Sequence, residues 1–187
     1  MVFSDTEIKE LFKAWLAITV AFSIASGGLA FHLQLLAFSG LTVGIGFLFH
    51  EMGHKFVAQR MGFPAEFRAF DTMLVMAILL SFTGFVFAAP GAVFIAALPT
   101  TKQNGKISTA GPGASLLLAA FFSLFSLLFP HTPKSDLILH QGFAINSWWA
   151  FFNLLPLPNF DGPKIFRWNK FVYATMAVTA FVFSFLL

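Results

Sequence analysis

The sequence predicts an all-α multi-pass membrane bundle of about five or six transmembrane helices. A short membrane-associated β element or re-entrant segment is expected between the second helix and the next span. Composition is the first reason. Hydrophobic residues make up 58% of the chain and charged residues 10%, whereas soluble domains carry about 25% charged residues. The mean hydropathy is +0.82, and the 28 phenylalanines point to lipid as the surrounding solvent. The second reason is the recurrence of apolar runs of spanning length, at 15–31, 41–62, 107–129 and 137–157, with a shorter one at 171–187. The third is the grouping of Lys and Arg at the ends of those runs.

The same composition narrows the chemistry. Cysteine is absent, which removes disulfides, thiolate metal sites and cysteine catalysis. A net charge of +3 without a basic stripe fits a membrane surface and not nucleic-acid binding. The length of 187 residues suits one domain, 1–187.

From the N-terminus, MVFSDTEIKELFK is too acidic for the n-region of a signal peptide and reads as a short amphipathic lead-in. Residues 15–31 form the first span, and His32 and Gln34 fall in the turn after it, where His32 reads as an interfacial histidine. Residues 41–62 form the second helix. Its Gly44, Gly46 and Gly53 leave room for close helix contacts; Gly44 and Gly46 would equally suit the wall of a polar channel. Lys55 and Arg60 put the end of this helix at a basic, cytoplasmic surface, and Gly62 and Pro64 stop it. Residues 64–70 have strand character. The stretch 85–98, FVFAAPGAVFIAAL, reads as a hairpin or extended loop turning at Pro90-Gly91, and Asn104-Gly105 is a further turn signal.

Charge placement decides whether 72–89 crosses the membrane. If it does, the basic residues split between Lys9, Lys13, Lys55, Arg60, Arg68 and Lys134 on one face and Lys102, Lys106, Lys164, Arg167 and Lys170 on the other. If it enters and leaves on one side, only Lys134 of the 11 lies opposite the rest. The positive-inside rule favours the second arrangement. Irregular backbone at that depth requires protein or a water-filled cavity around it.

The next span, 107–129, opens with Ala110-Gly111-Pro112-Gly113 and then Ser115; a loop at 130–136 leads to 137–157, which carries Trp148 and Trp149. This last run ends in NLLPLPNFDGPK at 153–164.

The second helix carries His50, Glu51 and His54, an H-E-x-x-H motif inside a membrane-length segment. Two histidines four residues apart lie on one helix face and can grip one zinc ion. Glu51 is then free to take a proton from water. A catalytic zinc needs a third protein ligand. His131 and His140 belong to a Pro-flanked loop and a helix start, and Asp71 reads as a helix cap. Asp161 follows an apolar helix, where a carboxylate is costly unless paired or metal-bound. The competing reading of that stretch is an ordinary Pro/Asp/Gly turn. With 72–89 re-entrant, the helices bearing the histidines and Asp161 run parallel, and the ligands converge in the cytoplasmic half of the bilayer.

His50-Glu51-x-x-His54, Ala110-Gly111-Pro112 and Asn153-x-x-Pro156-x-Pro158-x-x-Asp161-Gly162 together resemble the site-2 protease family of M50-like intramembrane zinc metalloproteases. The resemblance runs from about 41 to 164, in the family's order. It implies one zinc per chain held by His50, His54 and Asp161, Glu51 as catalytic base, and Asn153 beside the substrate or its oxyanion. It also implies regulated intramembrane proteolysis of single-span transmembrane substrates by a multi-pass protein of the cell membrane. Two positions depart from the family pattern: Ser115, where Asn is common, and Pro163-Lys164 after Asp-Gly, and neither is expected to touch the metal site. Many members carry a PDZ or CBS module, for which this chain has no room.

Strand edges within 64–70 or 85–98 could hold an unwound substrate by strand addition; alternatively the element only packs over the cavity. A different class of function is a metal-binding membrane scaffold or transporter without peptidase activity. The intact Glu51 argues against an inactive form, and no repeated halves of the transporter kind occur. A glutamate as third ligand would have to be Glu66, in the expected strand.

Overall fold

Ser4 starts the first helix: its Oγ accepts the Glu7 N–H at 3.2 Å, and Asp5 and Glu7 place negative charge in the first turn. The lead-in and the first apolar run therefore form one helix, α1 (Asp5–Gly27). The computed structural model describes residues 1–27, 33–86, 89–128 and 132–187. His32, His131 and the end of the first expected span lie outside the described residues.

Helix α2 (Leu33–Ser39), a π-helical turn at Gly40–Gly44 and α3 (Ile45–Arg60) follow one another as a continuous rod of 28 residues. The rod begins eight residues before the helix expected at 41–62. The Trp15 indole lies over the π turn and donates Nε1–H to the Gly40 carbonyl at 3.2 Å. A Cβ on Gly44 would sit 2.5 Å from Trp15 Nε1, and one on Gly46 would collide with Asn146 Oδ1. These glycines are close-packing positions, and the channel-wall alternative does not describe them.

Strands β1 (Ala65–Ala69) and β2 (Gly91–Ile95) pair antiparallel, with Ala65 opposite Ile95 and Ala69 opposite Gly91. Of the two readings of 85–98, hairpin or extended loop, this overturns the hairpin: residues 91–95 pair with 65–69 instead. Pro90-Gly91 opens β2 instead of turning the chain, because Phe67 and Val93 both pack into the apolar core under α1 and α3. Between the strands lies α4 (Asp71–Ser81). Eleven residues rise ~16 Å, about half of a hydrocarbon core. Asp71 does not cap α4; its carboxylate pairs with Lys13 at 2.6 Å.

Helix α5 (Thr101–Leu128) starts where the sequence suggested a turn. The reason is a capping box: Gln103 N–H donates to Thr100 Oγ1 at 3.3 Å and Thr100 N–H to Gln103 Oε1 at 2.9 Å. Asn104-Gly105 is thus helical, and Gly105 packs beneath Trp168. Helix α6 (Pro133–Asn153) likewise begins inside the expected loop, because Thr132 Oγ1 accepts the Ser135 N–H. The chain ends with α7 (Asp161–Trp168) and α8 (Lys170–Phe185), the latter capped by Asn169.

The protein is mostly helical, with this one small sheet among the described residues. Leu33–Arg60 and Thr101–Leu128 are each long and apolar enough to cross a membrane; α4 and α8 are shorter apolar helices. α1 runs antiparallel to α3, since Glu7 meets Lys55 while Trp15 meets Gly40. α5 is antiparallel to α3 as well, with His54 beside Ile107 and His50 beside Ser115.

Gly53 permits the α3–α5 contact, because a Cβ there would sit 2.5 Å from the Ala110 carbonyl oxygen. Gly53→Ala should therefore force the helices apart and destabilise the protein by about 1–3 kcal/mol. A lowered thermal midpoint in detergent would register this.

Candidate metal centre

The helical period brings His50 and His54 onto the face of α3 that meets α5, with their Nε2 atoms 3.2 Å apart. After α6 the chain reverses through residues 154–160. Asn159 takes the left-handed conformation there (φ 69°), which Asn tolerates better than most residues. The return leg begins with Asp161 as the first residue of α7. Its Oδ2 lies 3.5 Å from His50 Nε2 and 3.2 Å from His54 Nε2. The three ligand atoms all lie within 4.8 Å of one another, and this is the one such His/Asp/Glu group among the described residues. His50, Glu51 and Asp161 are buried.

The hydrogen bonds behind the histidines set their tautomers. His54 Nδ1 is 2.8 Å from the Ile107 carbonyl oxygen. A carbonyl only accepts, so Nδ1 carries the proton and Nε2 presents its lone pair. His50 Nδ1 is 3.0 Å from Ser115 Oγ, which can accept in the same way. Two imidazole lone pairs and a carboxylate oxygen thus face one point. Such a donor set fits zinc, and the backing hydrogen bonds are the orienting kind found around metal-bound histidines.

Helix α5 comes close enough to supply those bonds because position 111 is glycine. A Cβ there would lie 2.7 Å from His50 Nε2 and collide with His54 Nε2. Ser115, expected to bear on helix packing and substrate preference and not on the metal site, instead contacts His50, one of the candidate ligands. The sequence held a signal for it: Ile107, Gly111 and Ser115 recur every four residues, the spacing of one helix face laid against the histidine pair.

Glu51, Asn153 and Asp161 line one cavity of about 480 Å³ together with both histidines, Lys164 and the β2 residues Gly91, Val93 and Ile95. Asn153 Nδ2 donates to the Trp149 carbonyl at 2.9 Å; an amide has two N–H donors, so one bond does not exhaust it. Lys164 Nζ stands 3.8 Å from Asp161 Oδ1, the carboxylate oxygen turned away from the histidines. Glu66 is remote from this group and pairs with Arg68 at 2.5 Å. Lys55 is not at a basic surface as the sequence suggested; it is buried and paired with Glu7.

The sheet presents one open edge to the cavity. Phe70 N–H donates to Pro90 O and Ala96 N–H to Pro64 O, both at 3.0 Å. Even-numbered residues therefore form the ladder, and odd-numbered backbone groups face outward. On β1 the outward N–H groups of Phe67 and Ala69 donate to Glu7 and Glu10 at 2.8 and 3.1 Å. On β2 the outward groups of Gly91, Val93 and Ile95 border the cavity that Glu51 also lines.

Comparison with known proteins gives two relatives. The chain is 39% identical over 178 residues to the protein named "Putative zinc metalloprotease MJ0611" of Methanocaldococcus jannaschii, covering 94% of this chain and 91% of the relative. It is 30% identical over 161 residues to "Putative zinc metalloprotease YwhC" of Bacillus subtilis, covering 73% of this chain and 71% of the relative. No family model and no solved structure matches the chain.

Ser115→Ala should lower zinc affinity about 10-fold by freeing the His50 ring, without unfolding the protein. Gly111→Val should abolish zinc binding by occupying the ligand position. Chelator competition on the purified variants measures both.

Proposed function

This chain belongs to the zinc metalloprotease family of its two relatives, and we propose that it is a site-2-type intramembrane member that hydrolyses peptide bonds within or near transmembrane segments of single-span membrane proteins. The observation that carries the reading is a buried carboxylate, Glu51, on the wall of the same cavity as His50, His54 and Asp161, inside an apolar helical protein. Binding metal alone does not require Glu51.

In this reading His50, His54 and Asp161 hold one zinc ion. When bound, zinc supplies Lewis acidity, which eases water deprotonation near neutral pH and polarises the scissile carbonyl. Glu51 accepts the proton of the attacking water and passes it to the leaving amine. The Asn153 amide donates a hydrogen bond to the oxygen that gains charge. The substrate's peptide bonds are hidden within its own helix until it unwinds. The outward groups of Gly91, Val93 and Ile95 then pair with the extended segment as an added strand.

The protein is, in the same reading, a multi-pass protein of the cell membrane, with its active site in the cytoplasmic half of the bilayer. Charge supports that orientation. The starts of α1, α5 and α8 and the ends of α3 and α6 share one end of the molecule. Lys9, Lys13, Arg60, Arg68, Lys102, Lys106, Lys164, Arg167 and Lys170 belong to the elements at that end.

The test is cleavage of single-span substrates by detergent-purified protein beside Glu51→Gln, with zinc quantified in both. Zinc near one per chain in both, and cleavage by the wild type alone, is the expected result. Cleavage by the Glu51→Gln protein at the wild-type rate would refute the role of Glu51. Failure of the wild type to bind zinc under metal-replete conditions would refute the site.

A further inference from the structure

Glu7 and Lys55 are both fully buried, and the chemistry described above uses neither. Lys55 follows His54 on α3, and its Nζ bonds Glu7 Oε2. The same ammonium lies 4.1 Å from the centre of the Phe3 ring. The other Glu7 oxygen, Oε1, accepts the Phe67 N–H of β1 at 2.8 Å. One carboxylate thus holds the helix that carries Glu51 with one oxygen and the sheet with the other.

A buried ion pair adds little net stability compared with well-packed apolar residues. What this pair supplies is registration. α3 carries both Lys55 and Glu51; β1 carries β2; and Val93 of β2 lines the same cavity as Glu51. The contacts run from Glu51 along α3 to Lys55, through Glu7 to Phe67 and across the sheet to Val93, which shares the cavity wall with Glu51. We propose that Glu7 is a positioning residue for hydrolysis, fixing the register between the cavity-facing edge of β2 and Glu51. The proposal rests on the reading of this cavity as a protease site. Without the Glu7–Lys55 bridge the sheet still forms, but a chain held on β2 is offset from the carboxylate that must receive its proton.

Removing Glu7 alone leaves Lys55 buried without a counter-charge, and such a variant can fail to fold. The informative variant is the double substitution Glu7→Gln with Lys55→Met. It leaves no unpaired charge and keeps an oxygen for the Phe67 N–H. The full chain, loaded with zinc, is compared with wild type by residue-resolved amide hydrogen exchange and by kcat and KM on a single-span substrate. The proposal expects wild-type zinc content and exchange at Val93 faster by about 10-fold, with Ala92 and Phe94 unchanged because their N–H groups lie in the ladder. It expects kcat to fall by about 100-fold, the scale of a small misplacement at a reacting centre, with KM little altered. Unchanged Val93 exchange, or a wild-type kcat at full zinc, would overturn it. So would equal acceleration at Ala92, Val93 and Phe94, which would mean that Glu7 only holds the sheet together. If the wild type cleaves no substrate, the protease reading fails, while Val93 exchange still decides whether Glu7 sets this register.

Discussion

Two imidazole lone pairs and a carboxylate oxygen held together in an apolar interior repel or desolvate one another unless a cation lies among them. That constraint organises the rest of the structure. It asks α3 to present His50 and His54 on one face, α5 to reach them with the Ile107 carbonyl and the Ser115 hydroxyl, and the chain after α6 to turn back so that Asp161 enters from a third direction. Each demand has a local solution in small residues. Gly111 lets α5 approach the imidazoles, and Gly162 packs against the Leu154 carbonyl at the turn. The His50–His54–Asp161 group is therefore assembled by backbone proximity as much as by side-chain choice.

The sheet is small, yet its two edges have different fates. Carboxylates of α1 occupy the outward N–H groups of β1, which removes that edge from any pairing. The opposite edge belongs to β2 and borders the cavity. An exposed strand edge is ordinarily a hazard, because it offers a template for pairing with another chain. Here it is sheltered by the cavity it lines.

Much of this was legible in the residues. The H-E-x-x-H spacing put both histidines on one face, and the cost of a carboxylate after an apolar helix singled out Asp161. Its partner elements were less legible. The strand at 64–70 was visible, but pairing with residues 91–95 was not, because Pro90-Gly91 carries the same signature as a local turn. Asn104-Gly105 misled for the same reason: a two-residue signal was overridden by the Thr100–Gln103 cap four residues earlier. Lys55 was assigned to a surface because a basic residue near a helix end usually lies there. Only the fold brings Glu7, 48 positions away, to neutralise it. Ser115 was misjudged because its role depends on the antiparallel register of α3 and α5, which no single helix encodes.

The π turn at Gly40–Gly44 adds a residue to one turn of the α2–α3 rod. An added residue rotates everything beyond it by about 100° about the axis. The stripe that α2 shows to its surroundings is thereby uncoupled in phase from the stripe that aims His50 and His54 at α5. The change of phase falls at glycines packed beneath the Trp15 ring, so one rod presents different faces before and after them.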